Sequence, residues 1–398
     1  MNSKDIRLLL FGVSTTFIGL GIGRFAFASI MPELVLSGWF SDVDASYIGT
    51  ANLLGYLVGA LSAGKLLGLL SAKKILLSSI LGITLSYFVC MYPGNLYWFL
   101  LWRFVAGVSG ALLMVLGPSI SLSQLSKSSQ AIGGNLIFTG LGLGILLSTA
   151  IAPITGFFGL SMSWMFLGVV ALLFVPFVLH TINHNEAELK REPQKTKKNR
   201  INIFSHKSVL FVILAYAMQA IGYVPHTVFW VDYLAREQEL GTYVASIQWM
   251  FFGIGAILGP LLLGVVTHHL GWSKALLIAF IIKTIGIALP VFSSSFVSYT
   301  LSSFLVGAML PSIVALVSGT LYTLVGAELH KQFWGVATFV FAALQAVSGY
   351  TMSLWYSTHG SYESLFAIAT LCLTTGSLFA AMSLLGKKEC IREEETST

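Results

Sequence analysis

Apolar residues run through this chain in long stretches broken by short polar connections. A bilayer crossing needs about 20 predominantly apolar residues. The pattern predicts twelve crossings, over 8–31, 47–70, 75–92, 96–123, 130–157, 163–182, 207–232, 243–267, 273–292, 296–325, 331–356 and 362–386. Only one connection is long. Residues 184–206 are polar, charged and without an apolar face, reading NHNEAELKREPQKTKKNR over 183–200. They predict a basic linker between an N-terminal six-helix bundle (1–183) and a C-terminal one (207–386), followed by a tail (387–398). The expected fold is an all-α polytopic membrane protein.

Charge placement then sets the orientation. Of the 22 Lys and Arg residues, 18 fall in the termini, the linker and the connections on one side. Such a bias marks the cytoplasmic side, so both termini are expected there. Only Arg236 falls on the other side, and Arg24, Arg103 and Lys283 lie within crossings. The composition agrees: 56% of the 398 residues are hydrophobic and 10% charged, against about 25% charged in soluble domains. The net charge of +6 reflects this sidedness and does not imply nucleic acid. Cys90, Cys372 and Cys390 have neither metal nor redox spacing. The first apolar run is too long for a cleavable signal, so it is expected to remain as the first crossing.

The chain also repeats itself. Gly55, Gly59, Gly64 and Lys74 match Gly255, Gly259, Gly264 and Lys274 at an offset of 200, as Phe104 and Gly107 match Phe304 and Gly307. Gln130 and Gly133 match Gln332 and Gly335 at 202. A near-constant offset across three pairs of crossings predicts parallel repeats about an axis normal to the membrane. An offset of 202 also sets Arg24 against His226.

Twelve crossings as two repeated sixes with a basic central loop resemble the major facilitator superfamily, over nearly the whole chain. GIGRFAFASIMPEL (21–34) and FTGLGLGI (138–145) resemble its bacterial YbfB/YjiJ-like branch. The resemblance implies a multi-pass inner-membrane transporter with alternating access around a central cavity, lined in part by the first crossing. Arg103, Gly107 and Gly110 reproduce the superfamily's fourth-crossing pattern. Two elements differ. GKLLGLLSAKK (64–74) keeps Gly64, Lys73 and Lys74 of the loop motif but lacks its aspartate, and GLGLG (140–144) replaces the Gly-Pro antiporter motif.

The candidate chemistry is basic. Glu33, Asp42, Asp44, Asp232, Glu237, Glu239 and Glu363 are expected at or beyond the outer ends of crossings, which leaves no carboxylate inside the membrane. Embedded charges are costly and rarely lack a role. Arg24, about 18 residues from the inner end of its crossing or ~27 Å along a helix, is expected in the outer half. It is read either as a bidentate carboxylate clamp or as a structural arginine paired to carbonyls or Glu33. His226, preceded by Pro225, is the candidate proton carrier, or a core histidine. Arg103 is open between substrate binding and structure, and Lys283, in a crossing that the resemblance makes peripheral, is read as structural. Asn52, Asn135, Gln219, Gln248 and Gln345, with Tyr223, Trp249 and Trp334, are expected to line the cavity on that resemblance, although each alone is more often an interhelical contact. Gly55, Gly59, Gly255 and Gly259, with Gly64, Lys73 and Lys74, are expected to serve gating.

A cavity of positive potential suits an organic anion. The first expectation is therefore a proton-linked secondary transporter of a carboxylate-type solute, working as a monomer. A polycarboxylate metal chelator or an amphipathic drug-like compound is the alternative cargo. No phosphate-binding loop, nucleophile set or metal cluster supports an ATP-driven pump or an enzyme, and no cofactor is expected. A membrane sensor with a transporter fold is the remaining class.

Overall fold

The computed structural model describes residues 3–184 and 207–397, and all regular structure among them is helical. The predicted linker lies outside the described residues apart from His184, and so does the last residue of the tail. Twelve helices are long and apolar enough to cross a bilayer, and each overlaps one predicted crossing. They are α1 (Ser3–Leu36), α2 (Asp42–Leu69), α3 (Ala72–Val89), α4 (Leu96–Gln124), α5 (Lys127–Ser148, continued by Ile151–Phe158), α6 (Leu160–Thr181), α7 (Lys207–Glu237), α8 (Gly241–Leu270), α9 (Trp272–Phe292), α10 (Phe296–Gly326), α11 (Leu329–His359) and α12 (Glu363–Ser397). An even number of crossings puts the start of α1 and the end of α12 at one end of the molecule, hereafter the terminal end. The opposite end is the far end.

Short connections are set by local chemistry. Ser41, Ser71, Asn95 and Ser295 cap α2, α3, α4 and α10 by accepting a backbone N–H two or three residues on. Gly159 between α5 and α6 and Gly360 between α11 and α12 have positive φ, 85° and 68°, at equivalent places in the two halves.

The repeat is visible atom by atom in the helix contacts. A Cβ added to Gly55 would lie 2.1 Å from the Phe104 carbonyl oxygen, and one on Gly255 would lie 2.3 Å from that of Phe304. Gly59 meets the Val108 carbonyl and Gly259 that of Ala308, while Gly107 and Gly307 return the contact onto the Asn52 and Phe252 carbonyls. The α2–α4 and α8–α10 pairs are thus backbone-to-backbone contacts that only glycine permits. They lie inside each half and not between the halves. A gating movement of α2 or α8 at these glycines would break backbone contacts inside each half. Gly64 faces open space.

Other residues join the halves. Gly142 of α5 packs against Ile257 and the Gly253 carbonyl of α8, 2.6 and 2.8 Å from an added Cβ, and Gly349 of α11 packs against Leu53 and Thr50 of α2. Trp249 Nε1 donates to Ser148 Oγ at 3.1 Å, and Ser353 Oγ to Thr50 Oγ1 at 3.4 Å. At the far end Tyr356 of α11 donates to Asp42 of α2 at 3.0 Å. Arg236 on α7 binds Asp232 through two N–H donors (2.6 and 2.5 Å) and reaches Tyr356 at 3.4 Å. Tyr362 also donates to Asp232, at 2.7 Å. Among the described residues, the contacts that cross between the halves run from mid-depth at Gly142 and Trp249 to the far end at Asp42 and Tyr356, and the Asp232 pairs brace the far end within the C-terminal half.

One expectation needs correction. Asp5, Glu33 and Asp232 are 3, 6 and 0% exposed, so buried carboxylates do exist. Asp5 accepts from Ser126 and Ser129, and Asp232 is paired with Arg236. The helices run farther than the apolar windows, which carries Glu33 and Asp232 inside α1 and α7.

Candidate functional site

The centre of the molecule is built on an irregular α1. Over Phe17–Phe25 the helix widens to π geometry before resuming as α from Ala26. Such wide turns leave carbonyls without their usual helical partner and concentrate at functional sites. Here neighbouring helices supply the donors. Tyr87 Oη donates to the Ile22 carbonyl at 2.5 Å, and Asn52 Nδ2 and Arg103 Nη2 donate to the Gly23 carbonyl at 3.0 and 3.2 Å. Gly19, Gly21 and Gly23 admit α4, α5 and α3: an added Cβ would meet the Gly110 carbonyl oxygen at 3.0 Å, Gly144 Cα at 2.7 Å and Ile83 Cδ1 at 2.9 Å. The string GLGLG is therefore the α5 surface that receives Gly21.

This packing presents Arg24 at the junction of the halves, level with the middles of α7 and α11 and not in the outer half. Its Nη1 donates to Gln345 Oε1 of α11 at 3.3 Å, and its Nη2 to the Tyr223 hydroxyl of α7. Tyr223 in turn donates to Gln345 Oε1. The guanidinium lies 5.2 Å from the Phe25 ring centre, 5.4 Å from Tyr56 and 5.5 Å from Tyr223, within cation–π range. Arg24 remains partly exposed although it touches both halves.

The remaining candidates sort by burial. Arg103 is 0% exposed and lies 4.6 Å from the Phe27 ring centre; with Asn52, 1% exposed, it braces the α1 backbone behind Arg24 and does not face the cavity. Gln219 and Gln248 are sealed, and neither amide has a partner among the described residues. Trp249 is a strut between the halves. Trp334 is partly exposed and stacks on Tyr216, 6.1 Å between centres, on the terminal side. Lys73 and Lys74 open α3 at the terminal end. The side chain of Asn135 lies outside the described residues.

His226 and Lys283 lie behind the Tyr223 wall. His226 bonds Ser302 through Nε2 at 2.8 Å and stacks on Trp230 at 4.3 Å, and its Nδ1 has no partner. Lys283, expected as a structural lysine on a peripheral crossing, carries its Nζ inside, 0% exposed and 5.6 Å from the Tyr223 ring centre. Sequence reasoning also missed Tyr56, Phe25 and the Asp42–Tyr356–Arg236 closure. Their only signal was aromatic or charged residues spaced along helices whose faces were unassigned.

This architecture agrees with what the chain resembles in sequence. Residues 16–382 match the family described as "Uncharacterised MFS-type transporter YbfB", and the chain belongs to that family of MFS-type membrane transporters. It is 26% identical to the "Uncharacterized MFS-type transporter YceJ" of Bacillus subtilis (strain 168), over 90% of this chain and 96% of the other. It is also 26% identical to the class H tetracycline resistance protein of Pasteurella multocida, over 64% of each chain. A "Gallate transporter" of Pseudomonas putida is 26% identical over 37% of this chain and 33% of the other. The chain is a transporter and not an enzyme.

Proposed function

We propose that this carrier moves a small organic anion, an aromatic carboxylate before others, across a bacterial inner membrane by alternating access, linked to protons. The observation that carries the reading is Arg24, a partly exposed guanidinium held between the halves by Tyr223 and Gln345. A carboxylate entering from the terminal end replaces the weaker Gln345 contact with charge-assisted hydrogen bonds. The rings of Phe25, Tyr56 and Tyr223 supply flat surfaces for an aromatic body. A carrier named for gallate among the relatives supports this chemistry, while the tetracycline resistance relatives support a larger aromatic cargo. The bias of 18 basic residues in 22 supports a cytoplasmic terminal end, so the described conformation is closed outward.

The test is thermal stabilisation of purified protein by a panel containing gallate, benzoate, citrate and neutral and cationic aromatics. Carboxylates are expected to raise the unfolding temperature of the wild type and not of Arg24→Ala. Stabilisation by neutral or cationic compounds alone overturns the anion reading.

A further inference from the structure

Lys283 is a buried ammonium-bearing side chain that no hydrogen bond reaches. It sits mid-way along α9, 0% exposed, and its Nζ has no partner among the described residues. The other embedded cations are held. Arg24 has Tyr223 and Gln345, and Arg103 has the Gly23 carbonyl. What Lys283 does have is the Tyr223 ring at 5.6 Å, the same ring that Arg24 approaches at 5.5 Å. One tyrosine is thus in contact with a cation open to the cavity and a cation sealed from it. A sealed charge without a partner carries its desolvation cost uncompensated.

We propose that Lys283 is the proton-binding residue of this carrier, and that its protonation and the binding of an anion at Arg24 favour each other across Tyr223. The proposal rests on the anion reading above. The neutral amine takes a proton from water on one side of the membrane through its nitrogen lone pair. The anion at Arg24 offsets the added charge, so the loaded site carries no excess charge through the closed conformation. The proton returns to water on the other side as the anion leaves. One proton then accompanies each monovalent carboxylate.

Two titratable side chains lie close to Lys283. From α7 it faces Tyr223 and His226, the latter within electrostatic reach. On the other helices packed against α9, the titratable side chains among those described are Tyr243, His268 and His269 towards the ends of α8, Tyr299 and Tyr322 towards the ends of α10, Glu363 at the start of α12, and Cys372. His226 is the alternative carrier, but its Nε2 is engaged by Ser302 and its ring lies against Trp230.

Linkage makes the test quantitative, because a proton taken up with the anion must itself tighten the anion. Affinity for whichever of gallate, benzoate or citrate stabilises the protein best is measured on the purified full chain between about pH 6 and 9, a range spanning imidazole and perturbed amine titration. The wild type is expected to bind more weakly as pH rises, by about tenfold per unit at the steepest point. Lys283→Gln is expected to flatten that dependence to within about twofold, and His226→Gln to retain it. Lys283→Arg, a permanent cation, is expected to bind at every pH but to lose uptake driven by a pH gradient in liposomes. A full slope in Lys283→Gln, or a flat profile in His226→Gln alone, overturns the proposal. If no carboxylate binds the wild type, the anion reading has failed, and the ligand-free unfolding temperature against pH then decides for Lys283. Superimposable profiles of wild type and Lys283→Met would overturn its titration, and divergence would uphold it.

Discussion

The two halves bury one cation each beside their first helix and treat it differently. In the N-terminal half Arg103 comes from α4, donates to the Gly23 carbonyl and lies over Phe27, while Tyr87 and Asn52 satisfy the adjoining backbone. In the C-terminal half the place of Arg103, at the offset of 200, is taken by Ser303, which accepts from Trp230 Nε1. The cation comes instead from α9, where Lys283 replaces Ile83, and it has only a ring face. A repeated framework therefore carries an anchored charge on one side and an unanchored one on the other. Anchoring suits a residue that fixes geometry. Its absence suits a residue whose charge changes.

Four sets of substitutions test this contrast. Arg24→Ala should have the largest effect, reducing carboxylate affinity about 100-fold or more, since charge-assisted hydrogen bonds are worth about 1.5–3 kcal/mol each; Arg24→Lys should recover only part, because an ammonium lacks the fork. Next, Arg103→Ala should destabilise the folded chain by about 3 kcal/mol through a cavity and a lost bond to the Gly23 carbonyl. Lys283→Met should leave stability unchanged or raise it by up to about 4 kcal/mol, as replacement of a buried charge by an apolar side chain of similar size can. Thermal unfolding in detergent separates the two, and equal losses would erase the distinction. Third, Gly55→Ala and Gly255→Ala should cost about 1–3 kcal/mol each by overpacking, whereas Gly64→Ala, facing open space, should gain up to about 1 kcal/mol of helix propensity. The smallest effect is expected of Tyr356→Phe, which removes one hydrogen bond at the far closure. With about 1 kcal/mol at stake, alkylation of a cysteine at Thr50, in a background lacking the native cysteines, should rise roughly fivefold.

The helix count, the split into two sixes and the internal repeat were legible because they depend on long apolar runs and on glycines that recur at one offset. The facing of individual residues was not. Helical periodicity assigns faces only while the helix stays regular, and the wide turns over Phe17–Phe25 and Pro225–Phe229 change the register by a residue, about 100° of rotation per residue added to a 3.6-residue turn. Arg24 could be singled out as costly, but its partners on α7 and α11 could not be named. For Lys283, the peripheral place of its crossing left the direction of the side chain open, and a lysine stem is long enough to carry its nitrogen inward past the helix surface. Glycine repeats announced close approach without saying whether the neighbour lay in the same half or the other.

The single contact of Gly142 with the Gly253 carbonyl has a mechanical meaning. It sits at mid-depth, where backbone meets backbone across the halves, while the α2–α11 contact at Gly349 engages the side chains of Leu53 and Thr50. Methyl groups can shear past one another; a carbonyl lodged against a glycine Cα cannot. A contact of that kind can serve as a fulcrum, with arms extending from it in both directions, about 24 Å from Gly142 to the far end of α5 at 1.5 Å per residue. A rotation too small to disturb the hydrogen bonds around Arg24, which lies at the same level, would still be amplified into a wide parting of Asp42 from Tyr356.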